Sequence, residues 1–216
     1  MALLHPPPAR VGSLAPDFSL PATDNRIYTR DSCRGPKGLL VMFICNHCPY
    51  VQGIRERLVT DCMKLQTAGM GVVAINSNDA QAYPEDSLPR MREIAAEFKF
   101  TFPYLYDESQ AVARAYDAAC TPDFYVFDQR VQLAYRGQLD PSRPKRNPIP
   151  ATGEDLRAAL DAVKNGQQPP TDTVITLVDY RDGELYRYVV MEKRTGWGAD
   201  YPPEKRNGEW EYQAFN

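Results

Sequence analysis

No stretch of this 216-residue sequence comes near the ~18 consecutive apolar residues that a membrane-spanning helix needs, so nothing places it across a bilayer. A surplus of positive charge is also lacking. Its 25 basic and 28 acidic residues leave a net charge of −3, which argues neither for nucleic acid nor for an anionic membrane surface. The N-terminus, Met1-Ala2-Leu3-Leu4-His5-Pro6-Pro7-Pro8, has no basic segment and only a two-leucine apolar core. It does not read as a secretory signal, and a cytoplasmic location is the default expectation. Cysteine is sparse and odd in number: Cys33, Cys45, Cys48, Cys62 and Cys120 are irregularly spaced, a poor disulfide framework. A reducing compartment with one special pair fits better. Histidine is limited to His5 and His47, there is no second CxxC, and no Cys-x-x-Cys-His occurs. There is thus no haem-attachment signal, and a structural zinc site, which needs four ligands and usually two pairs, cannot close without distant partners. Neither a metal nor a cofactor is expected.

What is present is Cys45-Asn46-His47-Cys48-Pro49, directly after the apolar run of residues 38–44. Residues 51–59 follow with apolar side chains at helical spacing. Buried strand, CxxC, helix is a setting in which two thiols serve redox chemistry rather than packing. The amides and macrodipole at a helix N-terminus favour an anion and acidify a thiol there. In such a pair the N-terminal sulfur is expected to be exposed, making Cys45 the nucleophile and Cys48 the buried resolving thiol. His47 lies between them, where its imidazole can stabilise a thiolate. Cys62 shares a helical face with Leu58 and Leu65 and reads as a small core residue. Cys33 falls in a polar loop and receives no role.

The rest of the chain supplies the scaffold. Residues 15–21 partly alternate and read as a short edge strand. Residues 38–44 and 72–76 are apolar on both faces, as in central strands of a parallel sheet. A helix is expected over 49–68, with Pro49 in its first turn, where its missing N–H costs nothing. Ser87 is expected to cap a helix over 88–98, residues 104–107 to form a short strand, and residues 110–116 an amphipathic helix. Residues 123–128 and 131–137 form a hairpin, and Thr152 is expected to cap a helix over 154–165. Residues 142–150 are a polar, Pro-rich loop. This order is a parallel core finished by an antiparallel hairpin. The boundaries are an extended segment at 1–11, a main domain at 12–166, a linker at 167–172 and a β-rich extension at 173–216. In the extension, residues 173–178 and 184–190 flank an Asp182-Gly183 turn, and 209–215 suit a third strand. Its plainest reading is a hairpin extending the sheet edge, or a partner-binding surface. Its aromatics, among them Tyr186, Tyr188, Trp197 and Trp210, need burial, as in a homodimer.

Thr121-Pro122 is the second chemical element. A proline opening a strand after a helix and turn is compatible with a cis bond, as it is with an ordinary trans turn.

In this order, the stretches Gly12-Ser13-Leu14-Ala15-Pro16-Asp17-Phe18, Phe43-Ile44-Cys45-Asn46-His47-Cys48-Pro49-Tyr50-Val51, Ala74-Ile75-Asn76-Ser77-Asn78-Asp79, Phe102-Pro103-Tyr104-Leu105-Tyr106-Asp107 and Cys120-Thr121-Pro122-Asp123-Phe124 resemble the thioredoxin-fold superfamily, and most of all its peroxiredoxin-like branch of alkyl hydroperoxide reductase/thiol-specific antioxidant relatives. The resemblance covers residues 12 to about 165. It implies an α/β thioredoxin-like fold with an inserted βα unit before the proline strand. It further implies that Pro122 is cis beside the Cys45–Cys48 pair, and that Thr121 pairs with an incoming substrate chain as an added strand.

Three departures matter. Leu39 stands where minimal thioredoxins carry a buried acid. Counting back from Cys48 along the peroxiredoxin Pro-x-x-x-Thr-x-x-Cys motif puts Cys45 at the threonine and Val41 at the proline, so the peroxide-activating hydroxyl is absent. Cys120, two residues before Pro122, is a candidate third redox thiol or a bystander. The expected activity is thiol–disulfide exchange on protein or small-molecule disulfides, with a cellular thiol as reductant. A thiol peroxidase acting on peroxides, and a redox-sensing module recruiting a partner through the extension, are the alternatives.

Overall fold

The computed structural model describes residues 10–139 and 152–167 in full, and the backbone of three strands within 174–215. Readings placed on residues 1–9, 140–151, 168–173, 182–183 and 194–209 lie outside the described residues.

Five strands form the central sheet in the order β5-β4-β3-β6-β7. These are β3 (Leu39–Phe43), β4 (Gly71–Asn76), β5 (Tyr104–Tyr106), β6 (Asp123–Phe127) and β7 (Leu133–Gly137). β3, β4 and β5 run parallel, whereas β6 is antiparallel to β3 and β7 to β6. The thioredoxin-like arrangement implied by the resemblance is therefore present. Ahead of it lie a short hairpin, β1 (Ser19–Pro21) with β2 (Ile27–Thr29), and the one-turn helix α1 (Arg30–Cys33). Ala22 bridges this hairpin to Leu105 of β5.

All five residues of β3 are buried, because both faces of the sheet are covered. Alternation along the strands sorts side chains into two layers. Leu40, Met42, Val72, Ala74, Phe124 and Val126 face one layer, which is closed by α2 (Pro49–Thr67), α3 (Leu88–Glu97) and α5 (Glu154–Lys164). Leu39, Val41, Phe43, Val73, Ile75, Tyr125 and Phe127 face the other, closed by α4 (Ala111–Ala115) and the N-terminal hairpin. Leu58, Cys62 and Leu65 lie together in the first layer, as their shared helical face requires. Leu156, Leu160 and Val163 of α5 join them there.

Some local expectations need correction. Cys33 is not in a loop: it ends α1 and is buried in the second layer. Ser87 occupies the N-cap of α3, but its hydroxyl caps nothing; its carbonyl accepts from Met91 instead. Gly153, not Thr152, is the N-cap of α5. Its φ of 68° is one that glycine adopts without strain, and a Cβ there would sit 3.2 Å from Asp61 Oδ2. In the extension, β8 (Val174–Arg181), β9 (Glu184–Lys193) and β10 (Trp210–Phe215) pair antiparallel in the order β10-β9-β8. Among the described residues they form a sheet of their own rather than an added edge of the central one.

The pairing directions decide where function can sit. Parallel strands deliver their C-terminal ends to one edge of the sheet, and the antiparallel β6 begins there, with Phe43 opposite Asp123. The loops after β3 and β4 and the segment before β6 converge on that edge, the usual place for a site in an open α/β sheet.

Candidate functional site

Cys45, Cys48 and Thr121 meet at this edge. Thr121–Pro122 is a cis peptide bond. The Thr121 hydroxyl lies 3.2 Å from Cys45 Sγ, and the Thr121 carbonyl accepts from Cys48 Sγ at 3.3 Å. All five cysteines carry free thiols. The residue before the cis proline thus touches both sulfurs of the pair.

The expectation that Cys45 is the outward sulfur does not survive. Cys45 is 1% exposed and Cys48 is 8% exposed. The cause is where the helix begins. Pro49 is the first helical residue, so Cys48 is the N-cap, while Cys45 follows Ile44, whose amide still bonds β4 at Ile75. The electrostatics follow the geometry. The hydrogen bond shared with Cys45 lowers the Cys48 thiol to about 5, assisted by the amides of Val51 and Tyr50 and by Thr121, against the opposing effect of burial. Cys45 is driven upward by that same hydrogen bond, by burial and by the nearby charge of Asp86. The two ionisations belong to the coupled pair, with Cys48 favoured as its charged member. Cys48 caps no amide through its side chain while its thiol donates to Thr121.

The two residues between the cysteines are held from below. Asn46 is buried, and its Nδ2 donates to the Glu85 carbonyl at 2.7 Å while its Oδ1 accepts from the Tyr104 hydroxyl at 3.1 Å. Its carbonyl accepts from Gln52 Nε2 and Arg55 Nη2, each at 3.0 Å. Arg55 is buried and stacks over Phe98. Asn46 is thus a clamp on the loop rather than a reacting group. His47 is half-buried, stacks parallel on Tyr83 at 4.4 Å between ring centroids, and hydrogen-bonds Asp86 Oδ2 through Nδ1. Asp86 is fully buried. Its Oδ1 accepts from the Asn46 amide at 2.6 Å, and its Oδ2 also accepts from Asn78 Nδ2 at 2.8 Å.

Asp86, Tyr83 and Arg55 were not singled out from the sequence. Asp86 lies in a polar, turn-rich loop, and no spacing rule ties it to a CxxC 38 residues earlier. The usable signal was topological: the loop after β4 must emerge beside the loop after β3.

Cys45 Sγ, a His47 ring nitrogen and an Asp86 carboxylate oxygen all lie within 4.8 Å of one another. These donor types can ligate a soft divalent ion. Yet the Asp86 carboxylate is already bonded to Asn46, His47 and Asn78, which suits an internal anchor better than a ligand. Cys120 is exposed, but burial of its surroundings and the Asp123 carboxylate push its thiol up to about 12, unlike a reactive thiolate. Below it, buried Asp123 pairs with Arg136 at 2.8 Å and accepts from Tyr125, fixing the strand that starts at the cis proline. No helix among the described residues is long and apolar enough to cross a membrane.

Comparison with known proteins agrees with this geometry. An uncharacterized conserved protein from Geobacillus kaustophilus is 50% identical, over 74% of this chain and 85% of its own, with a TM-score of 0.72. A hypothetical protein from Sinorhizobium meliloti 1021 is 45% identical over 76% and 90%, with a TM-score of 0.74. The peroxidoxin BcpB of Mycobacterium tuberculosis, 12% identical over 73% of this chain and 97% of its own, shares the fold at a TM-score of 0.53. No curated protein matches. The AhpC/TSA family model spans residues 11–136, from the segment before β1 through β7, and so takes in the paired thiols, the acid beneath them and the cis proline. By that match over more than half its length, this redox protein of thioredoxin type belongs to the AhpC/TSA family.

Proposed function

We propose that the protein is a thiol–disulfide oxidoreductase whose working couple is Cys45 and Cys48, with Cys48 as nucleophile. The observation that supports this reading is the meeting of two thiols at the first turn of α2: Cys48 at the N-cap position, lowered by its partner sulfur, and Cys45 behind it, both against Thr121. The Cys48 thiolate attacks one sulfur of a substrate disulfide. A Cys48–substrate bond forms, the substrate S–S bond breaks, and the first substrate thiolate leaves and takes a proton from water. Cys45 then gives up its proton and attacks Cys48 Sγ. The Cys45–Cys48 bond forms, the second substrate thiolate leaves and is protonated, and two electrons have passed to the substrate. A cellular thiol returns the bridge to the dithiol by the reverse exchange. Thr121, directly ahead of β6 and against both thiols, is the position at which the substrate chain would pair.

Single substitutions test the assignment. Cys48→Ser should abolish reduction of an insulin-type disulfide. Cys45→Ser should leave the first attack intact and trap a mixed disulfide on Cys48, visible by intact mass. Trapping on Cys45 in Cys48→Ser instead would restore the N-terminal cysteine as nucleophile. A redox titration in glutathione buffers should show the Cys45–Cys48 bridge forming between roughly −120 and −270 mV, the span of known exchange proteins.

One observation favours a second reading, thiol peroxidase. Cys48 stands at the start of its helix in the register where the resemblance puts a peroxide-attacking cysteine. There its thiolate would take one oxygen from a hydroperoxide, releasing the alcohol, and Cys45 would displace water from the sulfenic acid to close the disulfide. The missing threonine hydroxyl weighs against it, although the Thr121 hydroxyl lies beside Cys45. Hydroperoxide consumption faster than disulfide reduction, at equal substrate concentration, would put this reading first.

A further inference from the structure

The strand ahead of the cysteines carries no acid: Leu39 is apolar and fully buried. Resolution nevertheless requires a proton to leave Cys45, the sulfur least disposed to lose it. The edge of the sheet supplies one buried carboxylate near it. Asp86 is 0% exposed, is bonded to His47 Nδ1, and lies with that ring within 4.8 Å of Cys45 Sγ. Four interactions hold this pair in place: the Asn46 amide and Asn78 side chain on the carboxylate, Asn76 on the Asp86 carbonyl, and Tyr83 stacked on the ring. Such support is out of proportion to a surface loop, and it fixes one geometry for a proton-accepting ring.

We propose that the Asp86–His47 pair accepts the Cys45 proton during resolution of the mixed disulfide and returns it to the departing substrate thiolate, replacing from the loop after β4 the acid that β3 lacks. This rests on the reading of Cys48 as attacking thiol. With Nδ1 engaged by Asp86, Nε2 is the ring nitrogen left to take a proton. The Cys45 proton reaches the ring across one water, a span that a separation of up to 4.8 Å allows. The imidazolium is balanced by Asp86. As the Cys45–Cys48 bond forms and the Cys48–substrate bond breaks, the imidazolium protonates the leaving sulfur, so no outside proton carrier is needed. His47, which takes the proton, is the catalytic group of this step, and Asp86, which acts through it, is a positioning residue. Among the described residues, the ionisable groups facing the pair are Cys45 and Cys48 from their loop, Arg55 from α2, Tyr83 stacked on the ring, and Tyr104 and Tyr106 from β5.

The test is rapid mixing of the fully reduced protein with 5,5′-dithiobis(2-nitrobenzoate), which releases one coloured thiolate on attack and a second on resolution. His47→Gln and Asp86→Asn should each lower the ratio of resolution to attack rate at least tenfold at pH 7. The deficit should narrow as pH rises toward 10, because hydroxide then takes over removal of the Cys45 proton. His47→Gln, at a half-buried position, guards against misfolding of Asp86→Asn. A ratio unchanged in both variants, or a deficit equal at every pH, overturns the proposal; the latter would mean the pair only shapes the loop. If Cys45→Ser, rather than Cys48→Ser, loses the first release, it is the underlying assignment of the nucleophile that falls.

Discussion

Cys48 and Cys45 are shifted in opposite directions chiefly by the hydrogen bond they share, and the amides of the first turn of α2 add to the lowering of Cys48 alone. Stability should record this. A thiol depressed on folding, from 9.0 to about 5, adds stability that is complete above pH 9 and is lost as pH falls through about 5. Cys45, raised on folding, has the opposite sign: its contribution is lost as pH rises above 9, where the unfolded thiol ionises. The reduced protein should therefore gain stability from pH 5 to pH 9, by at most about 1.4 kcal/mol per unit from this pair, and lose it beyond. Urea unfolding across that range checks the trend, and Cys48→Ala should flatten the rise. Iodoacetamide labelling of Cys48 should be half-maximal near pH 5, and Cys45→Ala should move that midpoint upward by removing the donor. The sequence singled out the pair but not which thiol lies nearer the surface, because exposure depends on where the helix starts and a CxxC spacing does not fix that.

At the scale of elements, patterning carried most of the information. Two apolar runs gave β3 and β4, and helical spacing gave α2 with its buried Leu58 and Cys62. Caps were less legible. Ser87 and Thr152 have the right chemistry, yet local backbone geometry handed one role to a carbonyl and the other to Gly153. Close backbone approaches were not legible at all. A Cβ on Gly71 would lie 2.1 Å from the Cys33 carbonyl oxygen and 2.5 Å from the Gly35 amide nitrogen, where the turn after α1 crosses the start of β4. Gly71→Ala should cost about 1–3 kcal/mol by denaturant unfolding, since backbone must move. Leu58→Ala, which empties a fully buried site on α2, should cost about 2–5 kcal/mol. Breaking one side of the buried Asp123–Arg136 pair with Arg136→Met should cost about 3–5 kcal/mol and loosen the start of β6.

Across the whole molecule, stability concentrates in the middle of the central sheet. β3 is paired on both sides, in parallel with β4 and antiparallel with β6, and every one of its residues is buried. Its amides should exchange with deuterium only through global unfolding, while those of the loop at 77–83 exchange through small local openings. Hydrogen-exchange mass spectrometry separates the two, and fast exchange in residues 39–43 would contradict this account.

The convergence of the loops after β3 and β4 with the lead-in to β6 has a consequence for descent. The strands that hold the sheet together and the loops that carry His47, Tyr83 and Thr121 are separate stretches of chain. Tyr83, exposed and stacked on His47, can be exchanged without disturbing either core layer. Substitutions in those loops over descent can therefore alter the surface around the thiols while the strands stay unchanged, whereas the two glycines at the opposite, crowded crossing accept no side chain without backbone movement.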